Sequence, residues 1–516
     1  MADGIDRGRT VTEVASMDPP VDALSETTAA FIGRALRGPL DTPVLLGGFG
    51  DFRRRFGGLW HRSSLGPAVE QFFEHGGQRL YVVRVANNAR GAMICIPAAH
   101  GVLVLRALEP GSTESIRAAV DYDRIDHEDS EHFNLTLQRV APDTGLVVDQ
   151  EIYRRLSCRD EDRGFIGNVL LTSRLARPQA PLPGGRPLPT TDPRNRFDPG
   201  YVGQVQAGSD GTALSDYDLI GSAVKGTGLF SLDAIGRFDL LYLPPPGLRQ
   251  DPGPAAILAA ERYCRRRRAM LIMDPPVDWN STARAVSGIR ADGYASPNIL
   301  AYFPRMVCRE ADGSPPRPVG GAIAGLLCKH DRLCGPWQAL SAGVLRFSRS
   351  LVPGILLGAE EVGRLVREGL NVIAGNTAGQ AALQGSVSLA RNSQMDRKFA
   401  RLDVQRLCLS ITNAIEHATR WAVFAPTESG LADRIHAQVH SYMAWLAGAG
   451  AFADNRFVIQ CDALHTAAAD PRRGVTILLA FQPVGAGEVV SLTLQQTVSG
   501  CRVSTTAFAP SIAQCA

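Results

Sequence analysis

The stretch Ala68-Val69-Glu70-Gln71-Phe72-Phe73-Glu74-His75-Gly76-Gly77-Gln78-Arg79-Leu80-Tyr81-Val82-Val83-Arg84-Val85 carries the pattern that decides the fold class. Val69, Phe72 and Phe73 share one face at helical spacing, and Gly76-Gly77 is the expected helix stop. Leu80 to Val85 then reads as a buried strand rich in β-branched residues. Working outward, Thr28-Ala29-Ala30-Phe31-Ile32-Gly33 is a second buried strand, Gly38-Pro39 a turn, and Pro43-Val44-Leu45-Leu46 a further apolar run. A short helix or turn falls within Phe49 to Phe56. Strand and helix alternate as in an α/β unit.

The alternation lapses over residues 91–214. Short strand-like runs (Gly101 to Leu105, Phe133 to Leu137, Gly145 to Val148) stand there among acidic and Pro-rich connections, as in a β-rich insertion with long loops. It returns after the turn at Gly208-Ser209-Asp210-Gly211. Asp239-Leu240-Leu241-Tyr242-Leu243 is a strand, Pro254 opens a helix at a position where a missing N–H is harmless, and Ala269 to Met273 is another strand. Helices are expected over about 358–368, 396–420 and 431–448, followed by strands at Phe457 to Cys461, Gly474 to Phe481 and Val489 to Leu494. The predicted class is therefore α/β and α+β multidomain. Its parts are an arm at 1–26, an α/β domain at 27–90 and 215–355, the insertion at 91–214, a C-terminal α+β unit at 356–496 and an arm at 497–516. Both arms carry strand-like residues and too little apolar surface to fold alone.

Composition narrows the function. A chain of 516 residues exceeds one ordinary core. The formal net charge of +3 is too small to imply wholesale nucleic-acid binding, which needs a clustered basic surface, so any electrostatic partner is read from local patches. The ten cysteines show no C-x-x-C pair and no zinc spacing, and read as reduced, cytoplasmic thiols; Cys408, between Leu407 and Leu409, reads as a small hydrophobe. The first residues lack the apolar core of a signal peptide, and no run reaches transmembrane length.

Candidate chemistry is sparse. Gly47-Gly48-Phe49-Gly50 lacks the spacing and the Lys-Ser/Thr of a phosphate loop, so it reads as a turn. His436 and His440 have metal-compatible spacing on a predicted helix, without a catalytic glutamate between them or a third ligand in view. Arg265 to Arg268 ends a predicted helix, where cations favour the dipole, and reads as a solvated or interface-facing terminus. No G-x-S-x-G elbow occurs. No cofactor is implied.

Taken in order, several blocks resemble the tail sheath family of contractile phages and injection systems. The first runs from Thr28–Gly33 through Gly38-Pro39, Asp51-Phe52, Phe56-Gly57 and the Phe72-Phe73…Gly76-Gly77 helix end to Tyr81-Val82-Val83-Arg84-Val85. The second is Pro318-Val319-Gly320-Gly321-Ala322-Ile323-Ala324-Gly325, Asp331-Arg332, Gly335-Pro336-Trp337 and Gly369-Leu370-Asn371-Val372-Ile373. The third is Val404-Gln405-Arg406-Leu407, Trp421 to Pro426 and Phe457 to Asp462. The resemblance covers about residues 25–496 and is weakest over 91–214. The chain departs from the family at Gly385-Ser386-Val387-Ser388-Leu389, where Gly-x-Arg-Thr-Leu is usual, and at Phe424-Ala425-Pro426-Thr427, where Phe-Glu-Pro-Asn is usual. These changes imply that some of the family's ion pairs are missing, and two readings stay open: a subunit that forms a sheath alone, or a divergent paralogue that needs a partner sheath subunit.

The resemblance implies a non-enzymatic structural subunit that polymerises helically around an inner tube and contracts. It implies a C-terminal assembly domain and arms donated as strands to neighbouring subunits, the candidates being Val11, Thr12, Glu13 and Val14 at one end and Val498, Cys501, Val503 and Thr505 at the other. Tube contact is expected from Arg397, Lys398, Arg401 and Arg406 on the helix at 396–420; the alternative is a solvated basic face. The insertion would face outward. Implied partners are copies of the chain or a paralogue, the inner tube protein, and baseplate and terminator proteins, with no nucleic acid and no membrane insertion. Assembly in the bacterial cytoplasm into a tail or injection particle follows. Two alternatives stay open: a non-polymerising adaptor, terminator or baseplate protein of similar fold, and an α/β enzyme.

Overall fold

The computed structural model of the chain describes residues 26–141, 143–191, 200–247, 250–309, 315–340, 345–375, 380–390, 399–423, 430–464, 474–497 and 500–505. The chain divides into two compact units, one of Glu26–Leu333 with Leu340–Asp396, the other of Met1–Ser25, Cys334–Ala339 and Arg397–Ala516.

The larger unit is built on an eight-stranded mixed sheet. Its order is Val44–Leu46, Leu80–Arg84, Ala29–Gly33, Leu240–Tyr242, Met270–Met273, Ile299–Phe303, Asn371–Gly375, Ala381–Gln384. The six central strands run parallel and the two outermost pair antiparallel. All five residues of Ala29–Gly33 are buried, as expected for a parallel strand covered on both faces. Phe31 sits opposite Val82 on one side and Tyr242 on the other.

On one face, helix Leu65–Glu74 lies against Gly320–Cys334 at a distance only glycine permits. A Cβ on Gly321 would stand 2.2 Å from the Ala68 carbonyl oxygen, and one on Gly325 2.3 Å from that of Phe72. The four-residue steps 321–325 and 68–72 keep the two helices in register along one ridge. The other face carries a large apolar cluster that includes Leu219, Leu232, Ala260, Tyr263, Val286 and Leu365.

Residues between Met93 and Pro178 form two three-stranded antiparallel sheets. One pairs Met93–Ala98, Gly101–Ala107 and Ala176–Pro178; the other pairs Ile116–Asp121, Phe133–Val140 and Val147–Leu156. They close over a core of their own around Ile94, Leu105, Val120, Leu135 and Ile166.

The boundary expected at 355/356 needs correction. Helix Ala359–Arg367 and strands Asn371–Gly375 and Ala381–Gln384 belong to the larger unit, because Tyr302 and Phe303 pair with Asn371 and Val372 in the main sheet. The smaller unit packs helices Leu402–Thr419 and Leu431–Gly448 with a four-stranded antiparallel sheet in the order Phe452–Leu464, Gly474–Pro483, Val490–Thr497, Gly500–Thr505. The first of these helices begins at Leu402, later than the expected 396; residues 391–398 lie outside the described set.

Candidate functional site

Ligands of open α/β sheets sit beyond the carboxyl ends of the parallel strands, at the point where strand order reverses. Here the order reverses beside Ala29–Gly33, and the chain fills that ground with its own side chains. Arg84, at the end of its strand, is buried and donates to four carbonyls: Ala35 at 3.0 Å, Gly38 at 2.6 Å, Pro110 at 2.7 Å and Leu36 at 3.4 Å. Burial pulls its guanidinium down to about 10, against the opposing pull of Glu109, Asp210 and Glu114. Arg34 donates to the Asp210 and Gly211 carbonyls and stacks on Trp60 at 4.8 Å.

Asp274, just past Met273, accepts from the Tyr242 hydroxyl and from the Val319 and Gly320 N–H groups at the start of helix Gly320–Cys334. Burial raises the Asp274 carboxyl and pushes the Tyr242 hydroxyl well above its usual range. These groups hold loops to the strand ends of the main sheet.

The other polar residues of the motif blocks do similar work. Asn371 donates to the Ala301 and Val387 carbonyls and accepts from the Val387 N–H at 2.9 Å, copying a backbone ladder. His75 holds the Gln71 carbonyl at 2.7 Å through Nδ1 and accepts the Ser348 N–H at 3.1 Å through Nε2. The arginine run is spent on structure too. Arg266 and Arg267 reach Asp233, and Arg267 also caps the carbonyls of Leu232, Ile235 and Gly236 and lies over Phe238 at 5.2 Å. The Gly47 N–H donates to Asp51 of the following helix, which closes that glycine run as a turn. Cys408 is buried, and burial pushes its thiol up to about 12.

The smaller unit holds the remaining candidate features. Its sheet ends in two outer strands, each paired on one side only among the described residues. Cys501 and Val503 lie on Gly500–Thr505, whose register sets Gln496 against Cys501, Leu494 against Val503 and Leu492 against Thr505 of the same chain. At the opposite edge, Phe452–Leu464 bulges: four of its residues lie between the pairs Phe452–Pro483 and Phe457–Phe481, where its partner has one. Beside that bulge, His436 and His440 line a groove of about 270 Å³ with Asn455, Arg456, Phe457, Val458 and Ile459. Their rings lie 6.0 Å apart, and His440 is 5.3 Å from Phe457. Among the described residues no group of three or more His, Cys, Asp or Glu is placed to hold a metal.

The four expected tube contacts do not form one exposed basic face. Arg406 is buried, in a stretch where every residue from Leu402 to Cys408 is buried. Arg401 precedes the helix as its N-cap and is bound to the Asp403 carboxylate and the Gly485 carbonyl, with its side chain 40% exposed. Arg397 and Lys398 lie outside the described residues, as do Val11, Thr12, Glu13, Val14 and Val498. The groove at His436 and His440 was not read from the sequence as an edge-strand feature; its only sequence signal was the four-residue histidine spacing. Among the described residues, no helix is long and apolar enough to cross a membrane.

No family model and no curated protein matches the sequence. Solved structures do match the fold. The chain is similar to a sheath tail protein from Listeria innocua, with a TM-score of 0.62 and 14% identity over 91% of this chain and 94% of that one. It is also similar to a sheath tail protein from Desulfitobacterium hafniense, with a TM-score of 0.54 and 12% identity over 95% and 100%. A third match is the helical sheath of the anti-feeding prophage in its contracted state, with a TM-score of 0.53 and 15% identity over 94% and 98%. Across nearly its whole length, the chain has the fold of contractile tail sheath proteins.

Proposed function

We propose that the chain is a structural subunit of a contractile tail sheath, polymerising helically around an inner tube and contracting to drive it through a target envelope. The observation that carries this reading is the end-to-end match to sheath tail proteins, core, insertion and C-terminal unit together. The same matches, to sheath tail proteins and to a helical sheath, favour a structural over a catalytic role.

In this reading the smaller unit is the assembly domain, and the insertion faces outward. The arms around Val11–Val14 and Val498–Thr505 link subunits by strand addition, where main-chain hydrogen bonds supply affinity. Contacts of this head-to-tail kind do not close and so build a helix. Contraction is a rigid-body change between two packings. Tube contact falls to Arg397 and Lys398, with the exposed part of Arg401; the burial of Arg406 removes it from that surface. Partners are further copies or a paralogous sheath subunit, the tube protein, and baseplate and terminator proteins. The particle assembles in the bacterial cytoplasm as part of a phage tail or injection system.

One observation favours a second reading. Strand Gly500–Thr505 already pairs within its own chain, as suits an adaptor or baseplate component that does not polymerise. Deleting residues 1–20 and sedimenting the chain with its tube protein separates the two. A polymerising subunit pellets in long particles that the deletion abolishes, while far-UV circular dichroism stays unchanged. Co-sedimentation that survives the deletion supports the adaptor.

A further inference from the structure

A charged face of the larger unit deepens the sheath reading, on which this inference rests. Helices Pro254–Arg267, Thr282–Asp292 and Ala359–Arg367 bury their apolar sides in one cluster on the same face of the main sheet. The Thr282 hydroxyl donates to Glu361 at 2.8 Å and Arg290 pairs with Glu368, which ties the second helix to the third. Every cation on the outer sides of these helices is arginine; no lysine occurs in any of the three. Several nearby carboxylates are already engaged. Glu261 is buried and pairs with Arg265, Asp233 takes Arg266 and Arg267, and Glu361 accepts the Gly358 N–H at the start of its own helix. Arg262, Arg284, Arg364 and Arg367 are exposed, and among the described residues none of them is in an ion pair. Asp292 and Glu360 are the acids of the three helices that stand likewise outside ion pairs, so positive charge prevails on this face. A guanidinium presents a planar fork of donors that fits a carboxylate with two parallel bonds.

The complementary surface lies on the sheet of Ile116–Asp121, Phe133–Val140 and Val147–Leu156. The connection between its first two strands exposes Asp123, Asp126 and Glu128, and the turn after its third exposes Asp160 and Glu161. The two connections are clamped together: His132 reaches Asp129 at 2.8 Å through Nδ1 and Asp162 at 3.0 Å through Nε2, and Arg159 pairs with Glu131 at 2.6 Å. Among the described residues none of the exposed carboxylates is in an ion pair, and Arg124 and Arg163 offset them only in part. A contact between two different patches of one chain runs head to tail and leaves a patch open at each end for further copies, as a helical polymer needs. We propose that the arginine face of the three helices docks the acidic connections of a second copy, with Asp123, Asp126, Glu128, Asp160 and Glu161 of that copy set against Arg262, Arg284, Arg364 and Arg367.

The test uses the full chain assembled with its tube protein and mixed with isotope-labelled copies. A photo-activated benzoyl-phenylalanine replaces Ser130, which is exposed beside the carboxylates and carries no charge. Adducts joining position 130 of one copy to residues 254–292 or 359–367 of another support the docking. Their yield should fall several-fold between about 0.15 M and 1 M salt, where the screening length shrinks from about 8 Å to about 3 Å; a yield that salt leaves unchanged overturns the charge pairing. Particles whose adducts fall elsewhere, stay within one chain or do not form overturn the docking and leave the sheath reading standing; absence of particles overturns both. A charge exchange checks the partners. R262E/R284E on one surface, or D126R/E128R on the other, should cut the adduct yield several-fold with far-UV circular dichroism unchanged, and combining the four reversals should restore it. Reversed variants that keep the full yield, or a combined variant that recovers none of it, contradict the pairing.

Discussion

Replacing Gly321 by alanine tests the packing that holds the main sheet's helical layer. In an isolated helix the change is favourable by about 1 kcal/mol, because glycine surrenders more backbone freedom on folding. Here the new methyl would stand 2.2 Å from the Ala68 carbonyl oxygen and 2.8 Å from its Cα, against an ordinary contact of 3.4 Å or more. The shortfall of about 1.2 Å is against backbone, which cannot rotate away, so the helices must part. Overpacking of this kind costs about 1–3 kcal/mol, and a backbone clash belongs at the upper end. The net expectation is a loss of about 2 kcal/mol.

Gly363 supplies a matched control. It lies mid-helix in Ala359–Arg367, exposed, with nothing within 4 Å of its would-be methyl, so G363A should gain up to about 1 kcal/mol. Urea unfolding of the two variants, followed by far-UV circular dichroism, should move the midpoint in opposite directions at unchanged slope. Both variants shifting upward would refute the close approach of the two helices.

Further expectations follow from the polar staples. His75 is buried with its charged form disfavoured by desolvation, so its pKa is lowered. Its stability contribution is whole above the unfolded value near 6.5 and declines below it, by at most about 1.4 kcal/mol per pH unit until the folded imidazole protonates. H75Q should remove that part of the acid slope in urea titrations between pH 7 and 5, and an unchanged slope would contradict it. Arg84→Lys keeps the charge but replaces a fork of donors by a point, leaving at least one buried carbonyl unpaired. A loss of about 1–3 kcal/mol in urea unfolding is expected, and wild-type stability would show that the fork is dispensable.

Period and punctuation made much of this fold readable before any coordinates. The apolar runs at 29–33, 80–84, 240–242 and 270–273 are sheet strands, and the helices ending at Gly76-Gly77 and beginning at Pro254 fall where their signals stand. Helix Gly320–Cys334 escaped because Gly320, Gly321 and Gly325 argue against a helix locally. Only the neighbouring helix explains them. Strand Asn371–Gly375 was assigned to the wrong unit because an apolar run does not name its sheet partner.

The tube-contact reading failed at Arg406 for a related reason. Charge on a helix normally marks the wet face, yet Leu402–Cys408 is covered on every side. Arg84 sat in plain view inside a motif; its four carbonyl partners come from loops no periodicity links to it.

The central claim is that this chain polymerises as a sheath around a tube. Electron microscopy of the full chain expressed together with its inner tube protein measures that directly. Long rods with a regular striation, of one diameter and enclosing the tube, are the predicted result. Dispersed subunits beside bare tubes would contradict it.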